Sequence, residues 1–463
     1  MNTPSLRPGF VPAFVALALS CAAHADAPQP PQPSGLRDIA EAVSADELKS
    51  TIAKLVGFGT RHTLSDTKSD KRGIGAARRW AQARFVAIGK DCGGCLEVVT
   101  PSQTVTGKRI PQPAEVMDVV AIQRGTDDAT RVVVITGHLD SRVTDVMNAK
   151  DDAPGANDDG SGTAVVIETA RVLSKHKFKA TIVYGVLSGE EQGLYGGKVL
   201  ADYAKQQGWQ VETDLNNDIV GNTHGQDGVN DNTIVRVFSE GTKSVETADQ
   251  AKDRRYHGGE IDSPSRNVAR FMADIAQKNL TNFRVRMVYR TDRYGRGGDQ
   301  VPFLEAGYPA VRVTEAHENY TRQHQDLRTE NGVRYGDTID GVDFAYLAQV
   351  ARLNALTLAS LAAAPAPPGG VDIEGAVASD TTIHWQPVAG ATGYRVWWRD
   401  TLAPQWQQSR WVGDATKTTL KDIVVDDAFF GVSAIAADGF ESPVVFAGTA
   451  GSFASAPADK PHP

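Results

Sequence analysis

The chain has 463 residues, 41% of them hydrophobic, and a formal net charge of −8 at pH 7. That length is too great for one small core and calls for two or three domains. The acidic balance argues against a nucleic-acid partner, whose mark would be a basic face, and sets no limit on a small substrate.

Near the start, the apolar run Phe10–Ala23 follows Arg7 and leads into Ala23 and Ala25 in a small-x-small pattern. It is too short to span a bilayer and reads as the core of a signal peptide, residues 1–25, removed on export to a secreted or periplasmic location. No later segment is long and apolar enough to be transmembrane, so no membrane span is expected. Residues 26–35, "DAPQPPQPSG", form a Pro-rich spacer. Folded sequence starts at Leu36, where "LRDIAEAVSADELKSTIAKLVGFG" and then "GIGAARRWAQARFVAIG" carry apolar residues at helical spacing and predict two amphipathic helices. Of the three cysteines, Cys21 leaves with the signal. Cys92 and Cys95 in "DCGGC" lack both a second ligand pair for zinc and a thioredoxin-like context, so a local disulfide is expected in an exported chain.

From Val116 the texture changes to short β-branched runs alternating with helical stretches. "RVVVITG", "KATIVYGVL", "TIVRVF", "FRVRMVY" and "PAVRVTE" predict buried strands; "SGTAVVIETARVLSKH", "GLYGGKVLADYAKQQ", "SPSRNVARFMADIAQKN" and "GVDFAYLAQVARLNALTLASLA" predict helices. The alternation implies an α/β three-layer sandwich with a mostly parallel, mixed sheet, in a domain of residues 36–364. Residues 365–370 form a Pro/Gly linker. Beyond it, "TTIHWQPV", "YRVWWRD", "QSRWVG" and "FFGVSAIAADGFES" alternate at period two and predict a small all-β sandwich, residues 371–455. Trp385, Tyr394 and the closing "VSAIAADGFESP" resemble the fibronectin type III pattern. On one strand Trp397 and Trp398 face opposite ways, so at most one belongs to the core.

Sites in a parallel sheet assemble beyond the carboxyl ends of its strands. Four stretches place acids or histidine there: "ITGHLDS" with His138 and Asp140, "APGANDDGSG" with Asp158 and Asp159, "VLSGEEQGLYG" with Glu190 and Glu191, and "NNDIVGN" with Asp218. A later stretch, "NYTRQHQDLRTENG", adds His324, with Asp326 repeating the His-x-Asp spacing of His138. Imidazole with carboxylate suits zinc, or manganese or cobalt, and cations between paired acids cancel their repulsion.

In their order and spacing, "GHLDS", "PGANDDGSG", "GEEQGLYG", "NNDIVGN" and "RQHQD" resemble the co-catalytic dizinc aminopeptidases of the bacterial leucyl-aminopeptidase type, relatives of glutamate carboxypeptidase and the transferrin receptor ectodomain, from about Leu55 to Leu358. The resemblance implies the zinc exopeptidase fold and two Zn2+ ions per chain. Asp158 would bridge them, His138 and Asp218 would complete one site, and Glu191 and His324 the other. It implies Glu190 as general base, Asp140 as the partner of the ligand histidine, and a cis bond between Asp158 and Asp159. Tyr294 aligns, offset by one position, with a tyrosine near the substrate carbonyl; Asp299, followed here by Gln300, is expected to support the pocket and not to bind metal. Arg293, Arg296 and Arg322 are candidates for a substrate carboxylate. The implied activity is removal of the N-terminal residue from peptides with a free N-terminus, with the β-module spacing the enzyme or docking it to a surface or protein partner. A dizinc carboxypeptidase or dipeptidase, or a glutaminyl cyclase-like enzyme, is the alternative on the same fold; the cyclases use one zinc, which the full ligand set counts against. A receptor-like ectodomain that had lost its metals would show replaced ligands, and none of the five is replaced.

Overall fold

The computed structural model describes residues 29–453; the expected signal peptide and Cys21 lie outside that range. The first predicted helix is two. α1 (Leu36–Glu41) and α2 (Ala45–Val56) part at Ser44, whose hydroxyl accepts the Glu47 amide and restarts the helix as an N-cap. α3 (Gly73–Asp91) follows as expected, and the Cys92–Cys95 disulfide closes the turn beyond it.

Strand β1 (Leu96–Val99) is succeeded by a separate hairpin, β2 (Ser102–Gly107) and β3 (Ile110–Met117), then by β4 (Val119–Gln123) and β5 (Asp128–His138). Helices and strands then alternate: α4 (Gly160–Leu173), β6 (Ala180–Leu187), α5 (Tyr195–Gln206), β7 (Gln210–Asn217), β8 (Ile234–Phe238), α6 (Ala248–His257), α7 (Pro264–Asn279), β9 (Arg284–Val288), α8 (Gln300–Glu305) and β10 (Ala310–Glu315). A short hairpin, β11 (Arg328–Glu330) and β12 (Val333–Tyr335), precedes α9 (Phe344–Ala363).

One eight-stranded sheet runs β1-β4-β6-β5-β7-β10-β8-β9. Its middle, β6-β5-β7-β10, is parallel throughout, and antiparallel pairings occur at β1/β4, β4/β6 and β10/β8. Successive residues of β5 serve opposite layers: Val133 and Ile135 pack under α2, α4 and α9, while Val132 and Val134 pack under α5 and α8. Each such buried aliphatic side chain contributes about 1.5–3 kcal/mol, and the period-two division is what makes the fold a three-layer sandwich. β9, predicted as buried, is the half-exposed edge of this sheet. No helix among the described residues is long and apolar enough to cross a membrane.

The C-terminal region is all antiparallel. β13 (Asp372–Glu374), β14 (Thr381–His384) and β17 (Lys417–Leu420) form one sheet; β15 (Gly393–Asp400), β16 (Gln408–Trp411), β18 (Ala428–Ile435) and β19 (Val445–Phe446) form the other. Trp385 and Tyr394 lie between them with ring centroids 5.4 Å apart. Trp398 packs against that core, whereas Trp397 donates its indole N–H to Ser433 outside it. The module is docked on the α/β part through Asp262, which Arg270 of α7 and Arg399 of β15 grip together in the interior.

Candidate metal centre

The parallel strands deliver the site. His138 ends β5, Asp158 lies in the turn that starts α4, Glu190 and Glu191 follow β6, Asp218 follows β7, and His324 sits in the loop after β10. Glycine lets these ends close up: a Cβ on Gly137 of β5 would stand 2.6 Å from the carbonyl carbon of Gly162 in α4. Strand and helix could not meet there with larger residues.

His138 Nε2 is 3.2 Å from Asp158 Oδ1 and 3.8 Å from Asp218 Oδ1. His324 Nε2 is 2.8 Å from Asp158 Oδ2 and 3.0 Å from Glu191 Oε1. Asp158 therefore offers one oxygen to each of two ligand sets, His138–Asp158–Asp218 and Asp158–Glu191–His324. His138 Nε2 and Glu191 Oε1 are buried yet make no hydrogen bond among the described residues, two donor atoms aimed into the cluster with nothing to hold. Buried polar atoms are ordinarily satisfied, and a nitrogen-and-carboxylate donor set of this kind fits zinc.

Charge balance within the protein leads to the same conclusion. Burial alone would lower the pKa of His138, but Asp140, Asp158 and Asp218 raise it well above the usual imidazole value. Against burial, Glu191 and Asp158 raise His324 to about 10, and the two rings in turn hold Asp158 well below the usual carboxylate range. A cation held by these residues would supply that positive charge instead, with release of ring protons. Burial among Asp218, Glu191 and Asp299 pushes the Glu190 carboxyl well up.

Neighbouring groups fix the ligands. Asp140 meets His138 Nδ1 twice, with its backbone carbonyl at 3.0 Å and its carboxylate at 3.6 Å. That carboxylate also accepts the Glu190 and Glu191 amides and the Thr63 hydroxyl, and so ties the β6 loop to the β5 loop. Asp159 turns away from the cluster and accepts the amides of His138, Gly162 and Ile219, joining three loops with one side chain. The Asp158–Asp159 peptide bond is cis.

Other contributors carry no local motif. Asp337, pushed up to about 7 by burial, accepts the Asn157 and Asp158 amides, and Gln323 donates to Asp158 Oδ2 at 3.2 Å. The fully buried Arg61 binds the carbonyls of Leu139, Pro154 and Gly155. Arg312 grips Asp218 Oδ2, and Arg142 touches both Glu191 and His324.

The other candidates lie outside the two ligand sets. Tyr294 is 88% exposed, with its ring against Arg290, and is not brought to the cluster. Its neighbours Asp292 and Arg293 turn inward to Arg312, Asp218 and Glu318, which leaves Tyr294 facing solvent. Asp326 does not pair with His324; it accepts the Thr144 amide, and Arg142 occupies the place beside the ring. Asp299 is buried under the Gly197 amide, pushed up to about 7, and outside both ligand sets. Arg293 and Arg296 are engaged by Glu318, and Arg322 by Asp340.

The profile of peptidase family M28 matches residues 118–342. A "probable zinc metalloprotease" of Pyrenophora teres f. teres is 45% identical over 425 residues, 90% of this chain and 88% of that protein. One of Leptosphaeria maculans is 46% identical, over 89% of this chain and 96% of its own. Among solved structures, Legionella pneumophila LapA aminopeptidase superposes with a TM-score of 0.52 at 19% identity, covering 77% of this chain and 80% of LapA, which is a likeness of fold.

Proposed function

This chain belongs to peptidase family M28 and is a zinc metallopeptidase, and we propose that it is a two-zinc aminopeptidase that cuts the N-terminal peptide bond of peptides with a free N-terminus. The observation that carries the reading is the convergence of His138, Asp158, Glu191, Asp218 and His324 into two ligand sets that share Asp158. Divalent ions bound there supply a Lewis acid for the scissile carbonyl and a water acidified toward neutrality.

The protein's own groups do the rest. Glu190, beside Glu191 in the loop after β6, accepts the proton of the attacking water and delivers it to the departing amine. Asp140 fixes the Glu190–Glu191 loop by its two amides, so the base and a ligand move as one unit. The concentration of acids, Glu190, Glu191 and Asp218, favours a substrate ammonium group. Arg293, Arg296 and Arg322 are already paired with acids, so none of these three is free to hold a C-terminal carboxylate, which favours an aminopeptidase over a carboxypeptidase. The pattern of residues 1–25 and the Cys92–Cys95 bond support export to a secreted or periplasmic location.

The test is metal content by elemental analysis together with hydrolysis of Leu-p-nitroanilide and its N-acetylated form. Two zinc ions per chain, and hydrolysis of the free-amine substrate that is lost on chelation, are the expected results. Comparable hydrolysis of the acetylated form would refute the N-terminal cut.

A further inference from the structure

A cavity of about 480 Å3 lies between α3 and the β2–β3 hairpin. Neither Glu190 nor any of the five candidate ligands lines it, although Thr63 in its wall donates its hydroxyl to Asp140. Gly75, Arg78 and Gln82 stand three and four positions apart on α3, so one face of that helix forms a wall. Leu64, Met117 and Val119 add apolar surface. Arg78 is only 6% exposed, yet its hydrogen bonds are long: Nε reaches the Ser188 hydroxyl at 3.3 Å and Nη2 the Glu115 carbonyl at 3.5 Å. The other buried arginines are closed off. Arg131, Arg270, Arg312 and Arg399 each grip a buried carboxylate, and Arg61 and Arg266 bind carbonyl oxygens at short distance. Arg78 forms no ion pair among the described residues, and Asp118, Asp140 and Glu115 act on its charge only from farther off. A guanidinium carries five N–H donors, and a buried charge left without a close partner is costly.

We propose that this cavity is a binding site for a small monocarboxylate with an apolar body, whose carboxylate takes the Arg78 guanidinium and whose body lies on Leu64, Met117 and Val119. The fork of a guanidinium matches the two oxygens of a carboxylate, and two long contacts give way to charge-assisted ones. A bare phosphate leaves the apolar wall uncovered, and its second charge meets Asp140 and Glu115, which already bear on Arg78. The volume falls in the range of small-molecule sites, roughly 300–1,000 Å3. No candidate zinc ligand takes part in this seat, so the binding does not depend on metal.

The experiment is isothermal titration calorimetry of N-acetyl-leucine into the zinc-loaded full chain, repeated after chelation, with N-acetyl-leucinamide and inorganic phosphate as comparison ligands. Equal binding of the acid with and without zinc is expected, with both comparison ligands at least tenfold weaker. Arg78→Met should weaken the acid by about 10–100-fold, the worth of a charge-assisted hydrogen bond. Gln82→Trp, at an exposed position one turn along α3, keeps Arg78 and fills the mouth, and should weaken the acid at least tenfold. If Arg78→Met fails to fold by far-UV circular dichroism, Gln82→Trp decides alone. Wild-type affinity retained in a folded Arg78→Met or in Gln82→Trp overturns the site, as does the absence of binding at millimolar N-acetyl-leucine. Binding that disappears with the zinc places the acid at the metal centre and overturns it too. The amide binding as tightly as the acid refutes the role of the guanidinium, and phosphate binding as tightly refutes the apolar body.

Discussion

Replacing Asp262 with Asn should loosen the β-sandwich from the α/β part. The Asp262 side chain, in the turn before α7, is fully buried; Arg270 Nη1 reaches its Oδ1 at 2.7 Å, and Arg399 Nη2 reaches both its oxygens at 2.9 Å. The two guanidinium nitrogens share one oxygen and so stand within about 6 Å, where like charges repel by about 3 kcal/mol at an effective dielectric of ~20. The carboxylate offsets that repulsion, and an amide does not. Removing one partner from a buried ion pair costs about 3–5 kcal/mol, which is the loss expected for Asp262→Asn.

Arg399→Met should be milder, because Asp262 keeps Arg270 and a thioether can pack on Trp406 and Phe429, over which the guanidinium now lies at 5.4 and 4.8 Å. The double variant decides between charge and contact. If charge governs, D262N/R399M is more stable than D262N, because the repelling cation has gone with the carboxylate. If lost contacts govern, it is less stable. Urea unfolding of the zinc-free chain, followed by tryptophan fluorescence at fixed protein concentration, reads the difference, with Trp406 in the interface as reporter. A double variant no more stable than D262N, or a D262N within about 1 kcal/mol of wild type, would show that this clamp does not hold the module.

Three further outcomes are expected. Glu190→Gln should lower kcat by about 10²–10⁴-fold while zinc content by atomic emission stays at the wild-type level. Glu240, buried behind Ser244, has its pKa raised to about 7 by burial, so its stabilisation of the folded chain is complete below about pH 4.5 and is lost as pH rises through 7. Glu240→Gln should therefore match wild type in urea at low pH and exceed it by about 3 kcal/mol above pH 7. Tyr294→Phe, at an exposed position, should leave kcat/KM on Leu-p-nitroanilide within about threefold of wild type, and a larger fall would place its hydroxyl at the substrate.

The elements legible in the sequence are those whose stability is declared locally. α4 and α9 show their apolar face at helical spacing, and β5, β6 and β10 are short runs of buried aliphatic residues. β7 is as central as β5 but reads "QVETDLNN", and no apolar run marks it because its interior is polar. Glu212 is buried against Arg131, Asp214 against Thr136 and Asn217 against Asn354, partners 78 to 137 positions away. The same division runs through the site. The five ligands and Glu190 sit in short motifs at strand ends, and the motifs show them without help from the fold. What surrounds them does not: Asp337 reaches the Asp158 amide across 179 positions, Arg312 reaches Asp218 across 94, and Arg142 reaches His324 across 182. Asp326 shows the hazard of reading such partners by spacing, since the interval it shares with Asp140 put it beside His324 while the chain put Arg142 there. The candidate ligands are thus legible in local sequence, whereas the groups that orient them belong to the packed loops.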